Sequence, residues 1–242
     1  MRWSDIRGAI CIAVKDMKTY YLKPPAISWG IVFPVSWIAA FYLRNPRDFT
    51  ELVPGLVAMT ILFSTTAAEA VVINFELRMG SLERLLLAPI SPKAVLLGKV
   101  LGGTAFGFIM SAVVAAGASA ILGLRPNVFY LLVIMSLSLV VFSSLGALVC
   151  VMVREVFEAQ TLLNLPRFLM VFVSGVVYPV SGMPVVLQFF SRIMPLTYVV
   201  EGLRSAFGAA RPATIMVDVG MLTVFLVLYL IPAMRLLERK FE

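Results

Sequence analysis

The chain has 242 residues, of which 61% are hydrophobic, and its 20 basic and 13 acidic residues give a net charge of +7. With a mean hydropathy of +0.98, this composition excludes an ordinary water-soluble domain. Several apolar runs reach the roughly 20 residues that a helix needs to cross a bilayer core, and they lack the strict alternation of membrane β-strands. We therefore predict an all-α membrane protein, with residues 1–242 forming a single transmembrane domain.

Residues 1–23 predict a helix that lies on the membrane surface, because apolar and charged side chains alternate at helical spacing. The apolar positions are Trp3, Ile6, Ile10, Ala13, Met17 and Tyr20, and the charged positions opposite them are Asp5, Arg7, Lys15 and Lys18. The segment lacks the apolar core and cleavage site of a signal peptide, so we expect it to be retained. A water-soluble leader is the alternative.

Six later segments are apolar enough to be membrane spans. They are residues 26–43, 52–75, 97–124, 128–153, 162–180 and 213–236. Residues 181–211 are too apolar for a free loop, and Pro184 and Pro195 interrupt them. We expect this segment to form two short re-entrant helices that dip into the outer membrane surface.

Six spans place both termini on one side of the membrane. If that side is the cytoplasm, most of the 20 basic residues lie in cytoplasmic segments, as the positive-inside rule requires. We thus predict a multi-pass plasma-membrane protein with both termini and the loop of residues 76–92 in the cytoplasm. The basic excess belongs to these loops, and we expect no nucleic-acid partner. Cys11 and Cys150 fall at the cytoplasmic side, where a disulfide is not expected.

The cytoplasmic loop 76–92 predicts one short helix between two spans. Gly80 and Ser81 open it, with Ser81 as N-cap, and Pro89 ends it. Ser91 and Pro92 have the residue types of the next helix start. The helix carries Glu83 and Arg84 on one side and Leu82, Leu85 and Leu86 on another. Such an element could lie along the bilayer or insert into another protein.

Motifs for catalysis and cofactor binding do not occur in the sequence. Gly98-Lys99 lacks the upstream glycine of a phosphate-binding loop, and no nucleophile elbow is present. The chain contains no histidine, which removes the usual proton shuttle and zinc ligand. We predict that the chain is not an enzyme and holds no metal or cofactor of its own.

Two acidic residues lie inside predicted spans. A charge within the bilayer costs a few kcal/mol on insertion scales, so such a residue is a functional candidate. Glu69 is either functional or tied to an arginine such as Arg154 or Arg167. Asp218 is expected near the outer interface in a structural role.

Two stripes of similar residues recur at four-residue spacing. The small residues Gly103, Gly107, Ser111, Ala115, Ser119 and Gly123 permit close helix approach, within the subunit or between subunits. The aromatic residues are Trp29, Phe33, Trp37 and Phe41. They either pack and anchor or line the route of an amphipathic substrate.

The sequence resembles the membrane subunit of ABC-2 type ABC exporters, especially their drug- and lipid-export branch. The resemblance is carried by ELRMGSLERLLLAPIS at residues 76–91 and by SGVVYP at 174–179, MPLTY at 194–198 and EGLR at 201–204. It implies six spans, an N-terminal interfacial helix, and two paired permeases, either identical copies or related chains. It also implies that each permease docks on a separate ATPase subunit, which binds the ATP and Mg.

The resemblance further implies that residues 80–87 are the coupling helix that sits in a cleft of the ATPase. Its candidate contact residues are Gly80, Ser81, Leu82, Glu83, Arg84, Leu85 and Leu86. Residues 181–211 would cap the outer mouth. The candidate residues of the substrate pathway are Trp29, Phe33, Trp37, Phe41, Glu69, Tyr178 and Tyr198.

We expect export of an amphipathic or hydrophobic substrate, drug-like or lipid-like, from the cytoplasm or inner leaflet. A polysaccharide or glycolipid exporter of the same family remains open. A proton-coupled secondary transporter using Glu69 and Asp218 is a further alternative, although inverted sequence halves are not evident. A membrane scaffold without transport is another.

Overall fold

The computed structural model describes residues 3–22, 24–44, 49–81, 85, 90–153, 156–208 and 212–241. Within these ranges the regular structure is helical and contains no strand, which confirms the all-α prediction. The helices are α1 (Trp3–Asp16), α2 (Pro24–Ile27), α3 (Phe33–Arg44), α4 (Phe49–Arg78), α5 (Pro92–Leu122), α6 (Val128–Met152), α7 (Val156–Val173), α8 (Val185–Ile193), α9 (Pro195–Phe207) and α10 (Pro212–Phe241). Met17–Tyr21 and Ser28–Val32 continue α1 and α2 as π-helical turns, and Val180–Gly182 forms a 3₁₀ turn.

Local sequence sets the ends of α5 and α6. The Ser91 hydroxyl accepts a hydrogen bond from the Ala94 N–H at 3.3 Å, and Pro92 occupies the first turn, as predicted. Gly123 ends α5 with a φ of 66°, a left-handed conformation that glycine adopts at little cost. The Asn127 side chain then accepts from the Tyr130 N–H at 3.2 Å and caps α6.

Helix α4 is the centre of the bundle. It packs against α3, α5, α6, α7 and α9, and its residues from Leu52 to Ala70 are buried. The hydroxyls of Thr60, Ser64 and Thr65 donate to carbonyls one turn earlier, at 2.6–2.9 Å. These three hydroxyls are therefore satisfied within the helix itself, as a low-dielectric interior requires.

Four helices of the described chain are long and apolar enough to cross a membrane. They contain Thr50–Ala70, Pro92–Leu122, Val128–Met152 and Ala213–Arg239. The predicted span 26–43 is divided between α2, the π-helical turn and α3. The prediction of a helix over residues 162–180 is wrong in its bounds: α7 ends at Val173, since Gly175 takes a φ of 83° and turns the chain.

Helix α1 exposes the apolar face that the sequence predicts, because Trp3, Ile6 and Ile10 are exposed. The buried face of α1 consists of Asp5, Ala9, Ile12 and Asp16 and packs against α5, whereas Arg7 and Lys18 of the predicted charged face are exposed. The Asp5 carboxylate accepts from the Ser91 N–H at 3.0 Å. A mixed face thus packs on α5: Ile12 contacts Val95, and the two aspartates find donors in the Ser91 N–H and Lys99.

Two short helices, α8 and α9, do occupy residues 181–211. Helix α8 is exposed, with Val185, Val186 and Phe189 among its uncovered side chains. Helix α9 differs from a surface element, because its Val199, Val200 and Leu203 are buried against α4, α6 and α10. Only α8 therefore presents the largely uncovered apolar surface expected of a membrane-dipping helix.

Candidate functional site

The predicted coupling helix, residues 80–87, follows directly on α4, and we call these residues the coupling segment. Gly80 has a φ of 65° and terminates α4. The Ser81 hydroxyl donates to the Glu76 carbonyl at 3.3 Å, whereas an N-cap would accept from a following N–H. Ser81 and Leu85 are both helical after the turn at Met79 and Gly80, which agrees with a helix that opens here, but the hydroxyl contact of Ser81 is not that of the predicted N-cap. Leu82, Glu83, Arg84 and Leu86 lie outside the described residues.

Leu85 shows where the segment rests on the bundle. It packs together with Ile90 against the buried side chains of Ile12 on α1 and Val95 on α5. Gly8 lies so near that an added Cβ would be 2.9 Å from the Ile90 Cγ2. The coupling segment is thus supported by α1 and by the start of α5.

Four charged side chains form an ionic cluster beside this support: Lys15 and Asp16 of α1, Glu76 of α4 and Lys99 of α5. Lys99 Nζ lies 2.8 Å from the Asp16 carboxylate and also pairs with Glu76. Lys15 Nζ lies 3.0 Å from Asp16 and pairs with the second oxygen of Glu76. Two cations and two carboxylates balance, which is the condition for keeping charges out of water.

Electrostatics in the cluster favour the charged forms. Burial raises the pKa of Glu76, but Lys99 and Lys15 outweigh it, and the net pKa is lowered. Burial lowers the pKa of Lys15, but its hydrogen bonds to Glu76 and Asp16 outweigh that effect and raise its pKa. Glu76 and Lys15 therefore stay ionised around neutral pH, and the ion pairs of the cluster join α1, α4 and α5.

Sequence reasoning missed this cluster, although one pattern could have found it. Lys99 follows Leu96, Leu97 and Gly98 and precedes Val100 and Leu101. A lysine in such an apolar run is buried only when it is paired, so this pattern indicates a carboxylate partner. Glu76, at the other end of the same loop, is that partner.

Small residues of α5 let its neighbours approach, as the four-residue spacing predicts. A Cβ on Gly98 would lie 2.8 Å from the Ala9 carbonyl oxygen of α1, and one on Gly102 would lie 3.0 Å from the Tyr21 ring. A Cβ on Gly107 would meet the Leu139 side chain of α6 at 2.6 Å. These contacts are within the subunit.

Glu69 is fully buried on α4. It accepts a hydrogen bond from the Ser143 hydroxyl at 2.6 Å, and a Cβ on Gly103 would collide with its Oε1. In the described ranges it forms no ion pair. The suggested partner Arg167 instead donates to Thr66 at 2.7 Å, and Arg154 lies outside the described residues.

The aromatic stripe of α3 meets a second stripe on α7. The Phe33 and Phe168 rings are 6.1 Å apart, and those of Trp37 and Phe172 are 5.7 Å apart, both edge to face. Phe63 of α4 completes the group, 4.7 Å from Phe33. We call this group the aromatic seam. The side chains of Trp29 and Phe41 lie outside the described residues.

Tyr178 and Tyr198 do not share one site. Tyr178 lines a cavity of about 540 Å³ together with Glu51, Arg204 and other residues. Tyr198 donates to the Arg192 carbonyl at 2.8 Å, and the centre of its ring lies 6.2 Å from that of the tilted Phe225 ring. Tyr178 thus lines this cavity, whereas Tyr198 is not among the residues that line it.

The described chain is an all-α bundle with four helices long and apolar enough to cross a membrane. Its sequence over residues 10–207 matches the ABC-2 type transporter family. The chain belongs to this family. ABC-2 permeases are transport subunits, and the ATPase activity is carried by a separate ABC ATPase with which they work.

Curated relatives agree with this assignment. The chain is 24% identical over 225 residues to the inner membrane transport permease YadH of Escherichia coli, covering 90% of this chain and 87% of YadH. It is 28% identical over 152 residues to an E. coli protein named "Probable multidrug ABC transporter permease YbhR", covering 61% of this ABC-2 permease and 40% of that protein. The match to YadH extends over nearly the whole of both chains.

Proposed function

We propose that this ABC-2 permease exports an amphipathic or hydrophobic substrate, drug-like or lipid-like, from the cytoplasm or inner leaflet. Energy comes from ABC ATPase subunits that bind ATP and Mg. The observation that carries the proposal is the ionic cluster, which fixes both flanks of the coupling segment to three helices of the bundle. An ATPase pushing on residues 80–87 would move these helices together.

The proposed topology has six spans, with both termini and residues 76–92 on the cytoplasmic side of the plasma membrane. Helices α3 and α7 act as spans one and five beside the four long helices. The exposed face of α1, with Trp3 73% exposed, suits the interfacial lipid layer. A second copy of this permease, or a related one, completes the transport unit.

The proposed cycle uses the contacts described above. Closure of the ATPases displaces the coupling segment, and Leu85 and Ile90 pass the displacement to α1 and α5. Substrate enters sideways between α3 and α7, where the aromatic seam is closed in this structure. It leaves through the cavity beside Tyr178, past the Tyr198 region.

The test removes the charges of the coupling segment. The double variant Glu83→Ala and Arg84→Ala, reconstituted with its ATPase, is expected to insert normally but to lose transport and substrate-stimulated ATP hydrolysis. The matched control is Lys93→Ala with Glu238→Ala, which removes an exposed ion pair of 3.2 Å and is expected to retain both activities. Unchanged transport by the Glu83 and Arg84 variant would contradict the docking role.

A proton-coupled secondary transporter is the second candidate, and two orphaned atoms favour it. Glu69 Oε2 and Asp218 Oδ2 are buried without a hydrogen-bond partner. This candidate predicts uptake by the chain alone when a pH gradient is imposed on proteoliposomes, without ATPase or ATP. A glycolipid exporter, by contrast, predicts ATP hydrolysis stimulated by glycolipid and not by hydrophobic amines.

A further inference from the structure

Arg167 is a buried cation in the middle of α7, with 2% of its surface exposed. Its Nε donates to the Thr66 hydroxyl of α4 at 2.7 Å. Its Nη1 donates to Asn164 at 3.0 Å and lies 3.4 Å from the Gln160 amide oxygen. Its Nη2 is buried with no partner. The guanidinium therefore has donor capacity left over.

The groups that Arg167 does contact are all neutral. Among the described residues no carboxylate forms an ion pair with it. Glu69, one turn beyond Thr66 on α4, points to α5 and α6, where Ser143 donates to it. A buried guanidinium ordinarily has a carboxylate or other anionic partner, and an ionisable side chain at membrane depth is a functional candidate. Within the part of the chain that the structure describes, no carboxylate therefore neutralises this positive charge.

Aromatic rings adjoin this charge. The Arg167 guanidinium carbon lies 5.8 Å from the centre of the Phe63 ring, and Phe63 contacts Phe33 and Phe168 of the aromatic seam at 4.7 and 6.0 Å. The junction of α3, α4 and α7 thus places the unpartnered Nη2 of a buried guanidinium beside an apolar aromatic wall. Its N–H groups can donate to an oxygen of a carboxylate, sulfonate or phosphate, and the rings match an apolar body.

We propose that Arg167 binds the anionic group of the cargo while the aromatic seam holds its apolar body, so that the exported class is anionic amphiphiles. This inference rests on the proposed export function and names the substrate class for the same pathway. The seam is closed in this structure, so the cargo binds when α3 and α7 separate. Cationic amphiphiles are disfavoured, because an uncompensated positive charge in a low dielectric repels them.

The test compares two fluorescent probes that share one hydrocarbon chain, a fatty acid and its methyl ester, binding to the full-length permease in nanodiscs. The wild type is expected to bind the carboxylate about tenfold or more tightly than the ester, the scale of a hydrogen bond between charged groups. Arg167→Gln is expected to remove this preference while ester binding stays unchanged, and Arg167→Lys to retain part of it. Arg192→Gln, on exposed α8, is the matched control and should keep the full preference.

Equal affinity of the wild type for both probes would overturn the proposal, whatever the variants do. An equal loss of affinity for both probes in Arg167→Gln would also overturn it, because that result would mean that Arg167 only holds α7 against Thr66 of α4. The export function is scored separately, by ATP-driven extrusion of both probes with the partner ATPase. Extrusion of either probe without any carboxylate preference in binding rejects the anionic class alone, whereas carboxylate preference in binding without extrusion of either probe rejects the exporter and supports the Arg167 site.

Discussion

Lys99 lies about two turns into α5 and is 1% exposed, so its charge depends entirely on Asp16 and Glu76. Replacing one member of a buried ion pair strands the others, at a cost of roughly 3–5 kcal/mol. We predict that Lys99→Met lowers the free energy of unfolding by about that amount, measured by thermal or denaturant unfolding in detergent.

The matched control is Lys93→Met, six residues earlier on the same helix. Lys93 pairs with Glu238 at 3.2 Å, but both side chains are solvent-accessible. Exposed pairs contribute at most about 1 kcal/mol. Similar losses for the two variants would mean that the ionic cluster has no special role.

The pH dependence of this cluster follows from its pKa shifts. Burial alone would raise the pKa of Glu76, but the lysines lower it; its contribution is therefore complete above its unfolded pKa of about 4.3 and is lost as the pH falls through the folded value. The pKa of Lys15 is raised, so its contribution is complete below about 10.4 and is lost as the pH rises further.

We predict that the stability gap between the wild type and Glu76→Gln is constant near neutral pH and narrows on acidification. Melting temperatures of both proteins from pH 7 down to about pH 2 would measure the gap, because the contribution of Glu76 is lost only below its unfolded pKa of about 4.3. A gap that widens as the pH falls would show that Glu76 is not stabilised as a carboxylate.

At the level of helices, the contact between α1 and α5 depends on a missing side chain. A Cβ on Gly98 would lie 2.8 Å from the Ala9 carbonyl oxygen and 3.0 Å from its Cα, and backbone atoms cannot rotate away. We predict that Gly98→Ala displaces α1, costs about 1–3 kcal/mol as overpacking does, and reduces ATP-driven transport.

Gly117 offers the comparison within the same helix, since a Cβ there meets nothing within 4 Å. Alanine in place of an open helical glycine stabilises by roughly 0.5–1 kcal/mol. Gly117→Ala should therefore be neutral or stabilising, measured in the same unfolding assay. If Gly117→Ala lost as much unfolding free energy as Gly98→Ala, the claim that the close approach of α1 and α5 requires glycine at position 98 would be contradicted.

Helix starts were predictable where a residue acts on its own neighbours. The side chains of Ser91 and Asn127 cap α5 and α6, because each accepts a hydrogen bond from the backbone N–H three residues later. The burial of a charged side chain was not predictable where it depends on a partner far away in the sequence. Asp5 and Asp16 have the residue type of a solvated position, and their burial becomes favourable through partners that include the Ser91 N–H, Lys99 and Lys15.

Across the whole molecule, sequence pattern predicted the helical class and the four longest spans. The bounds of a helix were predicted less well where its polar side chains make contacts between helices. Helix α7 carries Gln160, Asn164 and Arg167 toward the bundle, which lowers its hydropathy and hides its extent. Likewise α9 is buried as a membrane span would be, but it is shorter than a span, because it begins at Pro195 and ends before Gly208.

The account as a whole requires that force enters through the coupling segment. Chemical crosslinking from Ser81→Cys tests this most directly, in a background with Cys11 and Cys150 replaced and the protein in its native membrane. The account predicts a covalent adduct with an ABC ATPase from Ser81→Cys, and none from the control Val185→Cys on α8, whose side chain is 81% exposed. Failure to capture an ATPase from Ser81→Cys, or labelling of that cysteine from outside the cell, would contradict it.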